Sequence, residues 1–137
     1  MKQFAVIGCG RFGKALAIKL SELEQQVLAI DIDENVINEI SSYVTHAVTA
    51  NVTVEGVLEE LGIQNFDVVV VGMSSHFEAS VLVTTIAKEL GVPTVVVKAR
   101  DSFQAKIMYK IGADKVIIPE KESGLRLAHS MVKEEIL

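Results

Sequence analysis

The sequence predicts an α/β domain built on a doubly wound, six-stranded parallel sheet, and three observations predict it. Short β-branched runs alternate with longer helical patterns along all 137 residues, the element order of a βαβ series. Val68-Val69-Val70-Val71 and Val95-Val96-Val97 are apolar on both faces, as strands are when helices cover both sides of a sheet. Gly8, Gly10 and Gly13 fall between the first strand and the first helix, where a tight turn and a close helix approach require them. Right-handed crossovers then give the order 3-2-1-4-5-6.

Strands are expected over residues 3–7, 26–31, 46–49, 66–72, 93–98 and 115–118. The first helix carries a stripe of Phe12, Leu16, Leu20 and Leu23, and the second one of Val36, Ile37 and Ile40. In the fourth, Val81, Leu82, Thr85, Ile86 and Leu90 recur at the helical period. Asp33 and Thr53 stand where N-caps belong, while Gly62, Gly91 and Gly112 follow helices as stops. Residues 1–119 read as the nucleotide-binding sheet domain. Residues 120–137 read as a further helix with Leu125, Ala128, Met131, Val132 and Ile136 near one face. That helix ends uncapped on Glu134-Glu135-Ile136-Leu137. It reads as a fragment end or a partner-packing helix, the plainer alternative being a terminal helix docked on its own domain.

Composition narrows the classes. Half of the chain is apolar and 23% is charged, which suits one globular domain rather than disorder. The longest apolar run, Phe66 to Met73, is broken by Asp67 and too short to cross a bilayer. Met1-Lys2-Gln3-Phe4 leads straight into a strand, so no signal peptide is expected. The single Cys9 rules out an internal disulfide, so a cytoplasmic location is expected. A net charge of −5 repels a nucleic-acid backbone on average, and no nucleic-acid partner is expected.

Gly8-Cys9-Gly10-Arg11-Phe12-Gly13 follows a strand, opens a helix and precedes an acidic strand end, Asp31. That context makes it a Rossmann-type phosphate turn rather than a chance glycine spacing. Asp31 is placed to accept from the ribose hydroxyls of an adenosine and to repel a 2′-phosphate. Its plainer role is to cap the second helix, for which Asp33 competes, and both roles fit one Asp31-Ile32-Asp33 turn. Arg11 either reaches a phosphate or is a solvated helix arginine. Asn51 and Thr53 follow strand three and border the base. Met73, Ser74 and Ser75 follow strand four, Lys98 and Arg100 close strand five, and Pro119-Glu120 follows strand six. All of them open on the ligand-binding edge of a parallel sheet. His46 starts strand three on the edge away from the site, His76 is expected in the first turn of the fourth helix, His129 has no partner ligand in the sequence, and Cys9 lacks a base. Glu120 remains a candidate for magnesium shared with ligand phosphates.

Several runs resemble one family: 4–13, Thr45-His46-Ala47-Val48, Leu61-Gly62-Ile63-Gln64-Asn65-Phe66-Asp67, Lys88-Glu89-Leu90-Gly91-Val92-Pro93, Val97-Lys98-Ala99, Lys110-Ile111-Gly112-Ala113-Asp114 and Ile118-Pro119-Glu120-Lys121. They are similar to the regulator-of-potassium-conductance (RCK, TrkA-N) domain, and most of all to the cytosolic regulatory subunit of Ktr-type potassium uptake systems. The resemblance implies a homodimer assembling into a ring, an octamer, on the cytoplasmic face of a membrane potassium-conducting subunit. It implies ATP or ADP as ligand, with NAD(H) as the alternative. It further implies phosphate contacts from Gly8, Gly10, Arg11, Phe12 and Gly13, ribose contact from Asp31 beside Ile32 and Asp33, and a base near Asn51. Lys98 is implied in the pocket, Arg11 at a terminal phosphate across the dimer, and Glu120 at a cation. Family members carry a C-terminal lobe beyond the crossover helix, and the resemblance ends on that helix. The rival reading is the NAD(H)-binding domain of an oxidoreductase, which needs a substrate lobe and a proton donor that the residues do not supply.

Overall fold

The computed structural model describes residues 1–73 and 76–133. Its strands are β1 (Gln3–Ile7), β2 (Gln26–Asp31), β3 (His46–Thr49), β4 (Val68–Val71), β5 (Thr94–Lys98) and β6 (Lys115–Ile117). They form one six-stranded parallel sheet in the order β3-β2-β1-β4-β5-β6, as the sequence predicts. The helices are α1 (Arg11–Glu22), α2 (Glu34–Ile40), α3 (Val57–Glu60), α4 (Phe77–Glu89), α5 (Ser102–Lys110) and α6 (Pro119–Val132). β4 is one residue or more shorter at each end than expected. Asp67 instead turns into the sheet, its carboxylate accepting from Gln3 N–H at 2.8 Å.

Strand alternation separates two cores. Val6, Val27, Ala29, Val68 and Val70 face Ala17 of α1 and Ile37 and Ile40 of α2. Ala5, Ile7, Ile30, Val69, Val71, Val95 and Val97 face the other way, onto Leu58 of α3, Val83 and Ala87 of α4 and Met108 of α5. Chain direction explains the split. Right-handed crossovers that move from β1 toward β3 lay their helices on one face, and those returning toward β6 lay theirs on the other.

Two helix faces sit differently from their apolar stripes. On α4 the buried line is Ser80, Val83, Thr84 and Ala87, while Leu82 is exposed. On α1 it is Gly13 and Ala17, with Phe12, Leu16 and Leu20 flanking and Leu23 exposed at the C-cap. A helix that lies close over a sheet puts small side chains at the line of contact and larger ones beside it, which a pattern weighted by hydrophobicity alone misplaces. Thr53 is not an N-cap. Asn51 Oδ1 accepts from Thr53 N–H at 3.0 Å and from its hydroxyl at 2.6 Å, and α3 starts later, behind Gly56. Asp33 does cap α2, accepting from Asn35 N–H at 2.9 Å. α6 starts at Pro119, one residue ahead of the expected boundary, and Leu125, Leu127, Met131 and Val132 on it are exposed. The expected Ile136 contact lies outside the described residues.

Asp114 fastens the outer strands at the edge of the sheet opposite the glycine turn. Its carboxylate accepts from Val95 N–H at 2.7 Å and pairs with Lys88 Nζ at 3.0 Å. The donated Val95 N–H, with the Lys88 ammonium beside it, holds the Asp114 carboxyl below the usual carboxylate range. A carboxyl with a depressed folded pKa stabilises above its unfolded value, about pH 4, and that stabilisation fades as pH falls further. Asp114→Asn is therefore expected to lower stability by about 1–2 kcal/mol at pH 7, a charge-assisted bond discounted for solvent exposure. Urea unfolding at a series of pH values checks this. The gap between the two proteins should narrow below pH 4, and a gap that stays constant contradicts the assignment.

Candidate functional site

The strand order reverses between β1 and β4, and chains leaving neighbouring strands in opposite directions open a crevice there. Main chain forms its floor. Gly8 has φ +94° and a Cβ on it would meet Met73 N at 2.7 Å. A Cβ on Gly72 would meet Gly8 O at 3.0 Å, so the turns after β1 and β4 lie back to back. A Cβ on Gly13 would overlap the Gly8 carbonyl, which is how closely α1 seats on the turn. Gly10, by contrast, faces open space. Gly8 and Gly13 thus meet the tight-turn and close-approach requirements that the glycine spacing predicts.

Gly10 caps α1 without a side-chain acceptor, and no acidic residue occupies the first turn. α2 and α5 differ, each with one first-turn amide bound by its cap, Asp33 or Asp101, while α4 and α6 lack a side-chain cap but carry acidic residues in the first turn. The opening amides of α1 are therefore left for an external acceptor, at the positive end of the helix dipole.

Asp31 stands at the end of β2 and is half-buried. Its Oδ2 accepts from Cys9 N–H at 2.7 Å and its Oδ1 from Asp33 N–H at 2.9 Å. The carboxylate thus ties the glycine turn to the β2–α2 turn. Each oxygen keeps one acceptor site for a hydroxyl, so tying the turns and holding a ribose are compatible. Cys9 is 1% exposed, and its thiol lies 3.7 Å from the carbonyl oxygens of Val6 and Ile30. Burial, with the Asp31 charge nearby, pushes that thiol up to about 12.

A cavity of about 840 Å³ runs over this turn, within the span of about 300–1,000 Å³ usual for small-molecule sites. Of the expected residues, Gly8, Gly10, Arg11, Phe12, Asp31, Ile32, Asn51, Thr53, Met73 and Lys98 line it. Arg100 and Glu120 line a neighbouring cavity of about 560 Å³, which shares Arg11, Phe12, Met73 and Lys98 with the first. Gly13 and Asp33 line neither and act instead in helix seating and capping. Ser74, together with Ser75, lies outside the described residues.

Eight lining residues were not assigned to the site in the sequence: Ile7, Ile30, Ala50 and Val52 of the strand ends and the turn after β3, and Gly72, Glu78, Ala79 and Leu82 after β4. His76, expected in the first turn of α4, is its N-cap residue and lines the cavity too. The signal that points to them is topological. The first turns of the helix after β4 must border the crevice at which the strand order reverses.

No helix among the described residues is long and apolar enough to cross a membrane. Among the same residues no group of three or more His, Cys, Asp or Glu side chains is placed to hold a metal ion.

The model of the TrkA-N domain matches residues 4–119. The chain belongs to the TrkA-N domain family. It is 46% identical over 136 residues to the Ktr system potassium uptake protein A of Bacillus subtilis (strain 168), covering 99% of this chain. It spans 61% of that relative's length. The TrkA-N domain of the Escherichia coli inner membrane protein ybaL superposes with a TM-score of 0.81 at 16% identity, over 96% of this chain and 95% of that one. The Shewanella denitrificans Kef CTD, solved in an AMP-bound form, superposes with a TM-score of 0.78 at 15% identity, over 98% of this chain and 82% of that one. These two structures share the TrkA-N fold.

Two outcomes follow from the Asp31 and Cys9 geometry. Asp31→Ala strands the buried Cys9 amide and is expected to cost about 1–3 kcal/mol of stability in the absence of any ligand. An unchanged urea midpoint would remove the tie between the two turns. Cys9 should resist iodoacetamide in the native protein at pH 8 and react once urea unfolds it, because only the thiolate attacks. Rapid native labelling, followed by mass spectrometry, would contradict its burial.

Proposed function

We propose that this TrkA-N domain senses an adenine nucleotide, ATP or ADP, and through it regulates a membrane potassium channel or transporter. One observation carries the reading. The uncapped amides of α1 and the Asp31 carboxylate line a single cavity large enough for a nucleotide. Its likeness to a potassium uptake protein supports the regulatory role, and the AMP-bound Kef relative supports the ligand class.

In this reading the Gly8–Gly13 turn and the start of α1 take the phosphates, since amides and dipole both favour an anion. Asp31 takes the ribose hydroxyls, with Ile32 beside it and Asn51 and Thr53 toward the base. Met73 and Lys98 border the phosphates, and Arg11 stands where the two cavities join. Arg100 and Glu120 belong to the second cavity. A single carboxylate such as Glu120 suits magnesium, which keeps most of its ligands as water and phosphate oxygen. A bound magnesium ion would neutralise phosphate charge there.

Regulation then follows by population shift. The domain pairs into a homodimer within a ring, and a nucleotide that contacts both protomers favours the dimer geometry it binds better. A difference of about 1–3 kcal/mol between two ligands is typical of such coupling. In this reading α6 carries that pairing, supported by its exposed leucines and methionine. The assembly sits on the cytoplasmic side of the membrane, held by its channel partner. It binds the nucleotide without turning it over.

The deciding experiment is calorimetry on the purified chain with ATP, ADP, NAD and NADH, each with and without magnesium. ATP and ADP are expected to bind more tightly than either dinucleotide. Tighter dinucleotide binding would reject the ligand assignment, turnover of any ligand would favour an enzyme, and no binding at all would reject the sensor. Arg11→Ala is expected to weaken ATP by about tenfold more than ADP, the loss of one charge-assisted contact. Equal weakening of both would remove Arg11 as the group that tells them apart.

A further inference from the structure

We infer that Phe12 is a positioning residue, whose ring holds the Lys98 ammonium at the wall between the two cavities so that it meets the phosphates of a bound nucleotide. The inference rests on the nucleotide-binding reading above and adds to it how one cation is kept in place. Lys98 ends β5 and is half-buried, and its Nζ lies 5.6 Å from the centroid of the Phe12 ring. Both residues line both cavities. At that separation the negative face of the ring attracts the ammonium.

The choice of an aromatic holder has a chemical consequence. Lys14, Lys19, Lys88 and Arg100 each pair with a carboxylate, whereas no carboxylate of the described residues pairs with Lys98. A carboxylate would fix the ammonium but cancel its charge and would compete with an incoming phosphate. A ring fixes it and leaves the charge available. Without the ring, a four-carbon stem samples many rotamers, and ordering them on binding costs affinity. Arg11 and Arg100 also line the second cavity.

The ring is itself held. Phe12 is half-buried and packs on the core that contains Val6 and Ala17. A Cβ on Gly72 would lie 3.7 Å from its Cδ2, an ordinary packing distance, so the ring sits beside the turn after β4. Glycine turn, ring and ammonium therefore form one connected arrangement from the turn after β4 to the end of β5.

The test compares adenosine, which has no phosphate, with ADP in the full chain, using Phe12→Leu, Phe12→Tyr, Lys98→Met and the double variant F12L/K98M. Urea midpoints establish that each variant folds. Phe12→Leu is expected to weaken ADP by about two- to fivefold and to leave adenosine unchanged. Phe12→Tyr keeps the ring and should bind ADP like the parent. In the Lys98→Met background, Phe12→Leu should have no further effect on ADP. Equal weakening of adenosine and ADP, or a Phe12→Leu effect that persists without Lys98, would assign the ring to packing alone and overturn the inference. A parent chain that binds ADP while the cycle is additive refutes this inference only. A parent chain that binds neither ligand refutes the sensing reading and this inference with it.

Discussion

The site depends on one hydrogen bond, from the Cys9 amide to the Asp31 carboxylate at 2.7 Å. It joins the turn after β1 to the end of β2 and sets where the opening amides of α1 point. The second carboxylate oxygen accepts from Asp33 N–H, and Asp33 in turn caps α2. One side chain therefore fixes the start of two helices relative to the sheet edge. A charged acceptor suits this task, because bonds to an ionised group are roughly twice as strong as neutral ones.

The burial of Cys9 belongs to the same arrangement. Its side chain lies inside the turn, against the carbonyls of Val6 and Ile30, and the Gly8 and Cys9 amides are themselves paired, with the Ile30 carbonyl and the Asp31 carboxylate. A larger residue would lift the turn, and a charged one would lack a partner. The thiol serves as a small apolar filler, consistent with a pKa pushed up to about 12.

Much of this was legible in the sequence. The valine runs of β4 and β5 identify inner strands because only a strand covered on both faces is apolar at every position. The glycine spacing and Asp31 mark the crevice because the turn has strict steric requirements that few other residues meet. Other features were not legible. The buried lines of α1 and α4 pass through Gly13, Ala17, Ser80 and Ala87, residues chosen for size, to which a hydrophobic pattern is blind. The Asn51 side chain, rather than Thr53, organises the turn after β3, since local side-chain bonds compete with helix capping. Glu78, Ala79 and Leu82 carry no motif, and only the strand order brings them to the crevice.

Gly8 and Gly72 meet back to back, with the Met73 side chain beside them, and between the two glycines the floor of the crevice is main chain. What lies there is peptide backbone, the same in every protein that can make the turn. Chemical discrimination must then come from the rim, from positions such as Ile32, Asn51, Glu78 and Lys98. Rim positions such as Ile32 and Glu78, which belong to neither core, can be exchanged with less disturbance to the sheet than the glycines. A domain built this way can change the molecule it answers to while keeping its architecture, which makes the rim the place to redesign its response.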